Sequence, residues 1–276
     1  METESFLNVG EVASLLGARL SGGPKKQALS GVFTDTRTPK PKALFIALRG
    51  ENFNGNLYAE QALRLGAAAV MADDHEVAEK LGRTVKQPVL TVPNCRAALL
   101  VLAAAYRRKL NALSWFAVTG SAGKSTTKEL LAHVLEKGAG WRVHKAPRSF
   151  NNEIGLSLTI LETRSFHQAA VLELGTNKPG EIGPLAAAAA PTSAIITNVA
   201  PAHIGAFGSL RAIAEEKGAI LDALSMTGNF HLNADDLFYA DWRKRARGKE
   251  LSFSLRHDST AALRAETIAH STGRVP

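Results

Sequence analysis

The stretch around residues 115–135 leaves a chain few ways to fold. Trp115-Phe116-Ala117-Val118 is an apolar run of strand length, and Thr119-Gly120-Ser121-Ala122-Gly123-Lys124-Ser125-Thr126-Thr127 follows it directly. A helical pattern then opens, with Leu130, Leu131, Val134 and Leu135 expected on one face. A strand that turns through glycines into a helix is the unit from which parallel sheets are built, because the helix carries the chain back to start the next strand alongside. The alternation continues on both sides. Helices are predicted over 96–110, 128–136, 184–189 and 210–224, and strands over 169–174 and 194–197.

The first ninety residues read as a smaller α/β unit. Val9, Val12, Leu15, Leu16 and Leu20 have helical spacing, and Ser21-Gly22-Gly23-Pro24 is a turn cluster. Strands are expected at 43–48, 67–71 and 89–92, with a helix over 59–65 stopped by Gly66. Pro93 closes the last of these strands, so the domain boundary is expected there: residues 1–92, then 93–276. The fold class expected is α/β, a small N-terminal α/β domain followed by a P-loop-type parallel-sheet domain. A length of 276 residues suits two domains.

Charge narrows the partners less than it first promises. The formal charge of +8 fits either nucleic acid or anionic small substrates. The densest basic run, Arg243, Lys244, Arg245, Arg247 and Lys249, has one aromatic neighbour, Trp242, and no zinc-finger or RNA-recognition pattern. It reads as a solvated helix end, and no nucleic-acid partner is expected. A single cysteine, Cys95, excludes an internal disulfide framework and a multi-cysteine zinc site. The first ten residues carry two glutamates and no basic region before an apolar stretch, unlike a signal peptide. The apolar run 97–106 is about half of what spans a bilayer. The expectation is a cytoplasmic protein without a membrane span.

The glycine loop carries the chemistry. Glycines let backbone N–H groups turn inward around a phosphate, and the following helix adds its own free N–H groups and positive dipole end. Lys124 is then placed to reach the β- and γ-phosphates, and the Ser125 hydroxyl to bind Mg²⁺. The nucleotide-binding set expected is Thr119, Gly120, Ser121, Ala122, Gly123, Lys124, Ser125 and Thr126. The standard P-loop has a glycine six residues before its lysine, where this chain has Val118. A strand–glycine–helix turn also arises for packing reasons alone.

Thr-Gly-x-x-Gly-Lys-Ser-Thr-Thr resembles the shortened phosphate loop of the Mur ligases and their folate-polyglutamate relatives, and three further segments extend the likeness. Glu173 ends a strand in Leu172-Glu173-Leu174-Gly175, at the sheet edge where α/β proteins bind ligands. Asn198 and His203 lie in Thr197-Asn198-Val199-Ala200-Pro201-Ala202-His203, and Lys217 in Glu215-Glu216-Lys217-Gly218. Read alone, each is as compatible with a surface charge, a polar loop residue or a solvated helix face. The resemblance implies ATP and two Mg²⁺ ions. Ser125, Glu173, His203 and Lys217 would be metal ligands, and Lys124, His203 and Lys217 catalytic residues. Lys217 would be carbamylated by CO₂ and Asn198 would lie near the nucleotide.

Domain one has its own matching segments: Thr34-Asp35-Thr36-Arg37, Leu44 through Gly50, and Asn52-Phe53-Asn54-Gly55-Asn56. They resemble the family's UDP-MurNAc-binding domain, which implies substrate contacts from Thr34, Asp35, Thr36, Arg37 and Asn54. Asn54 and Asn56 stand where aspartate and histidine are more typical. On local grounds Asp35 and Arg37 equally make a turn and an exposed ion pair. Ser149-Phe150-Asn151-Asn152-Glu153 resembles the substrate loop of the family members that add D-alanyl-D-alanine, so Asn151 and Asn152 join the substrate set.

The reaction implied is ATP-dependent joining of D-alanyl-D-alanine to UDP-MurNAc-tripeptide through an acyl phosphate, a step of peptidoglycan precursor synthesis. The family's third, C-terminal domain finds no match in residues 1–276. This chain alone is therefore expected to be inactive, with the missing domain supplied by another chain or lost by truncation. A non-catalytic nucleotide-binding remnant, or one subunit of a split ligase, stays open as the alternative.

Overall fold

A computed structural model describes residues 6–147, 150–256 and 258–266. The chain divides into two compact units. One is the chain up to Ala112 together with Glu153–His167; the other is Leu113–Asn152 and the chain from Gln168.

In the first unit, a five-stranded sheet runs in the order Arg19–Ser21, Val89–Thr91, Ala69–Ala72, Leu44–Ile46, Val32–Phe33. Only Arg19–Ser21 pairs antiparallel. Phe33, Phe45, Val70, Ala72 and Val89 pack with Ala62, Leu63 and Leu81 of the covering helices in a buried core. The helices here are α1 (Val9–Leu16), α2 (Ala59–Arg64), α3 (His75–Thr84) and α4 (Cys95–Lys109).

The sequence reading ran α1 on to Leu20. Gly17 ends it instead, at φ 58°, and the chain turns straight into the strand Arg19–Ser21. A left-handed C-cap is glycine's usual place, and it outweighed the single extra apolar position. The junction also falls later than Pro93. Helix α4 buries Cys95, Leu99, Leu102, Ala103 and Tyr106 and packs against α1 and against α6 (Glu153–Glu162), both in the first unit. An amphipathic pattern tells which face of a helix is buried, but not which sheet supplies the cover.

The second unit is a six-stranded sheet, parallel throughout, in the order Val143–Lys145, Ala169–Glu173, Ser114–Thr119, Ser193–Ile196, Asn229–Leu232, Lys249–Glu250. Its helices are α5 (Lys124–Lys137), α7 (Ile182–Ala189), α8 (Ile204–Phe207), α9 (Leu210–Asp222) and α10 (Tyr239–Arg245). After Ser114–Thr119 the chain goes to the edge strand Val143–Lys145, fills the gap with Ala169–Glu173, then crosses to Ser193–Ile196 and builds outward on the other side. The strand order therefore reverses at this central strand, which is where open α/β sheets bind ligands, outside the C-terminal strand ends.

The inward face of α5 differs from expectation. Lys128 and Ala132 are its buried residues, Leu131 and Leu135 are partly covered, and Leu130 and Val134 are exposed. Four apolar residues at 130, 131, 134 and 135 span more than one stripe, so the sheet covers only half of them. The basic run sits in the last turn of α10 and beyond it, with Arg243 on Glu250 and Arg245 on Asp222. Among the described residues, no helix is long and apolar enough to cross a membrane.

Candidate nucleotide site

Between Thr119 and Lys124 the loop can take its path only with glycine at two positions. Gly120 has φ 152°, and a Cβ there would lie 1.8 Å from the Thr197 hydroxyl. Gly123, at φ 79°, is the left-handed residue that starts α5. Thr197 and Asn198, from the neighbouring strand end, hold the loop. The Thr197 hydroxyl donates to the Ala122 carbonyl at 2.6 Å. Asn198 clamps the same residue from both sides: its Oδ1 accepts from Ala122 N–H at 3.0 Å and its Nδ2 donates to Ala122 O at 3.2 Å.

Among the described residues, no side chain caps α5. The first N–H groups of this 14-residue helix thus point out of the sheet edge with the positive end of the helix dipole behind them. The Lys124 ammonium folds back to donate to Gly120 O at 2.7 Å and, more weakly, to Ser121 O at 3.4 Å. Burial lowers its pKa, while the nearby Glu173 charge opposes that shift. Thr119 is buried and donates its hydroxyl to Leu174 O at 2.9 Å, whereas Thr126 is exposed in the first turn.

Glu173 is the polar centre of the site. It ends the strand next to the loop, in register with Val118, and is 1% exposed. Its Oε2 accepts the Ser125 hydroxyl at 2.8 Å and its Oε1 accepts Asn151 Nδ2 at 3.0 Å. Asn151 is held in turn by Gly175 N–H, which donates to its carbonyl at 2.8 Å. A hydroxyl and a carboxylate side by side at an uncapped helix start are the hard oxygen donors that Mg²⁺ takes, usually with phosphate oxygens and water completing its shell. The residues present fit such an ion.

Lys217, on α9, is 4% exposed, and its pKa is pushed down to about 8. Burial is the main cause, the positive charge of Lys124 adds to it, and Glu216 opposes it. Glu216 itself accepts from Gly180 N–H and Ile182 N–H, both at 2.7 Å, and so ties α9 to the loop that follows Glu173. The structure thus brings Lys124, Ser125, Glu173 and Asn151 together, with Lys217 within electrostatic reach of Lys124.

His203 is placed differently. It is exposed, in a left-handed conformation at φ 56°, just before α8. Among the described residues its ring has no hydrogen bond to Ser125, Glu173 or Lys217. Its loop is anchored by Asp236, which accepts from Val199 N–H at 2.8 Å. Asn152 is exposed, and Ser149 of the same segment lies outside the described residues.

Sequence reasoning passed over Lys128, Thr197, Glu216 and Asp236. Lys128 stands four residues after Lys124, in line with Ala132, but it is the sheet that makes this the inner stripe of α5.

In the first unit, Thr34, Asp35, Thr36 and Arg37 follow the strand Val32–Phe33. The Arg37 guanidinium grips the Asp35 carboxylate at 2.7–3.0 Å, and Asp35 also accepts from Arg37 N–H. This is the turn and exposed ion pair that local chemistry allowed. Asn54 Oδ1 accepts from both the backbone and the side chain of buried Asn56, whose Nδ2 also donates to Asp73. Arg49 completes this network on Asp73 and Asp74.

A parallel sheet whose order reverses at a strand–glycine loop–helix unit, with Ser125 and Glu173 at the loop's mouth, has the architecture of the phosphate-loop class of α/β proteins. Comparison with known proteins makes this specific. The Mur ligase middle domain matches residues 118–275, and the Mur ligase family catalytic domain matches residues 28–107. The chain belongs to the Mur ligase family.

Among its relatives is the UDP-N-acetylmuramoyl-tripeptide–D-alanyl-D-alanine ligase of Haemophilus influenzae, 35% identical over 249 residues, which cover 90% of this chain and 53% of the relative. The ligase of the same name from Synechocystis is 40% identical over 228 residues, or 82% of this chain and 49% of the relative. A crystal structure of MurF from Acinetobacter baumannii matches with a TM-score of 0.79 at 30% identity, covering 89% of this chain and 53% of that one. MurF ligase from Thermotoga maritima, solved in complex with ADP, matches with a TM-score of 0.68 at 32% identity, covering 81% and 50%. The chain spans about half the length of the curated relatives it matches.

Proposed function

We propose that this chain is the nucleotide-binding and carboxylate-activating part of a ligase that joins D-alanyl-D-alanine to UDP-MurNAc-tripeptide, using ATP and Mg²⁺. One observation carries the reading: the Ser125 hydroxyl and the buried Glu173 carboxylate meet 2.8 Å apart beside an uncapped helix start. The ADP complex of the Thermotoga maritima relative supports it.

In this reading the triphosphate lies along Gly120–Ser125, with the α5 N–H groups donating to its oxygens. Lys124 leaves its two loop carbonyls for the γ-phosphate, where its charge offsets that which develops as the phosphoryl group moves. Ser125 and Glu173 would hold Mg²⁺, with His203 and Lys217 the candidates for a second ion once His203 turns inward, and the metal would supply charge neutralisation on the phosphates. The tripeptide's terminal carboxylate attacks the γ-phosphorus and ADP leaves; the incoming amine then attacks the acyl carbon of the acyl phosphate, forming the amide as inorganic phosphate leaves and the nitrogen gives up a proton. A carbamylated Lys217 needs a neutral amine to take up CO₂. With a pKa of about 8, roughly a quarter of Lys217 side chains are neutral at pH 7.5, against about one in a thousand at the ordinary value.

Asn198 acts here on the loop rather than on the nucleotide, through both of its contacts with Ala122. Asn151 acts through Glu173. Thr34, Asp35, Thr36, Arg37 and Asn54 take the UDP-MurNAc end, once the Asp35–Arg37 pair opens. The site belongs in the cytoplasm, where ATP is.

Holding the amine near the acyl phosphate is assigned to the half of the relatives that this chain does not match, supplied by the same or another polypeptide. Such positioning can account for roughly 7–11 kcal/mol of a barrier. The test incubates residues 1–276 with UDP-MurNAc-tripeptide, ATP, MgCl₂ and D-alanyl-D-alanine, following ADP and ligated product. Nucleotide binding without appreciable ligation is expected. Turnover near 10 per second, about the median for enzymes, would overturn the assignment of amine binding to the unmatched half. Failure to bind Mg²⁺–nucleotide would overturn the reading as a whole.

A further inference from the structure

We propose that Lys128 is the fixed counter-ion of Glu173, that it competes with Mg²⁺ for this carboxylate, and that the site consequently retains the metal as a nucleotide complex and not as a bare ion. The inference rests on the Mg²⁺–nucleotide reading above and adds a residue to it.

Lys128 and Glu173 are each 1% exposed, and the ammonium lies 3.8 Å from Glu173 Oε2, the oxygen that also accepts the Ser125 hydroxyl. The other contacts of Glu173, from Ser125 and Asn151, come from neutral groups. They orient the carboxylate but do not neutralise it, and a buried carboxylate needs an opposite charge. Two lysines are close enough to supply one, and they differ in freedom. Among the described residues, Lys124 is tied to carbonyls of its own loop, which it can exchange for phosphate oxygens. Lys128 is buried one turn into α5, donates to Ala146 O at 2.9 Å, and also has Glu129 at 3.3 Å. Glu129 is half exposed and shared with Lys145, so it offers Lys128 a screened contact.

When Lys124 turns to a phosphate, Lys128 stays. A divalent ion reaching Glu173 binds within about 2 Å of its oxygen, and the Lys128 charge then opposes it from a few ångströms away. Phosphate oxygens of a bound nucleotide bring the extra negative charge that tips the balance. A bare ion has no such help.

The experiment titrates MgCl₂ into the nucleotide-free chain at one pH by calorimetry, comparing the natural sequence with Lys128→Met and with Lys128→Gln, which keeps a donor for Ala146. Melting temperature is recorded with and without the metal, and Mg²⁺–ADP binding is measured for the natural chain. The expected result is that both variants bind bare Mg²⁺ about tenfold or more tightly than the natural chain. They should also melt lower without metal and recover on its addition. A residue that only fills space would lower the melt without tightening Mg²⁺. Unchanged or weaker Mg²⁺ binding in both variants overturns the counter-ion role. Where a variant folds only with MgCl₂, that recovery supports the role, and failure to recover overturns it. If the natural chain shows no Mg²⁺–ADP binding, the phosphate-site reading itself falls, and this inference with it.

Discussion

Replacing Lys217 by methionine, which keeps most of its length and removes its charge, should make the chain more stable at neutral pH and change how stability varies with pH. Burial and the Lys124 charge take the Lys217 pKa from an ordinary 10.5 to about 8. Each pKa unit is worth ~1.4 kcal/mol, so holding the charged ammonium in the fold costs roughly 3 kcal/mol. Below pH 8, folded and unfolded chains both carry the proton and the penalty is complete. Between pH 8 and 10.5 the unfolded chain binds more protons than the folded one, so stability rises with pH. Above 10.5 both are neutral and the penalty is gone. From pH 7.5 to pH 10, about 2 of those 3 kcal/mol should be recovered by the natural chain and not by the variant. Urea denaturation of both chains in CO₂-free buffer measures this, and their difference cancels every other titrating group. Two stability curves that run parallel across that range would refute the reasoning, because they would mean that Lys217 sits charged at no cost.

Three further outcomes follow from the same geometry. Gly120→Ala places a methyl 1.8 Å from the Thr197 hydroxyl at a φ of 152°; it should abolish ADP binding or cost the fold about 1–3 kcal/mol in strain, measured by calorimetry and denaturation. Glu173→Gln leaves buried Lys128 with the half-exposed Glu129 as its neighbouring carboxylate and should destabilise by roughly 3 kcal/mol. Adding Lys128→Met should recover much of that loss in a double-mutant cycle. Asn198→Ala removes both side-chain bonds to Ala122 and should weaken ADP binding by about tenfold, equivalent to ~1.4 kcal/mol, with the melting temperature nearly unchanged.

What the sequence made legible and what it hid have separate physical causes. The central strand, the loop and α5 were readable because each left a local mark: an apolar run, glycines at two special backbone positions, and an abrupt change to helical period. Gly17 left a mark as well, and reading α1 through it gave weight to Leu20 over a cap. The placement of α4 and α6 with the first unit left none, since a helix pattern does not name its partner sheet. In the candidate site, Lys124, Ser125 and Glu173 were singled out by motif, resemblance and position at a strand end, and the structure places Ser125 and Glu173 in contact. Lys128 was hidden because a lysine in a helix is ordinarily solvated, and only the sheet on its inner side shows that this one is not. Asn151 was read as a substrate contact, whereas its side chain bonds to Glu173, 22 residues further along the chain. His203 shows the limit in the other direction, because resemblance alone singled it out and the structure leaves it exposed in a loop.

The central claim is that Gly120–Ser125 at the start of α5 is a Mg²⁺–nucleotide site. Calorimetric titration of ADP into the natural chain and into Lys124→Met, each with MgCl₂ and again with EDTA, tests it most directly. The natural chain should show one saturable site, weakened by EDTA and weakened about 100-fold or more by Lys124→Met, a loss of ~2.7 kcal/mol. No saturable binding, or equal binding by both chains, would contradict it.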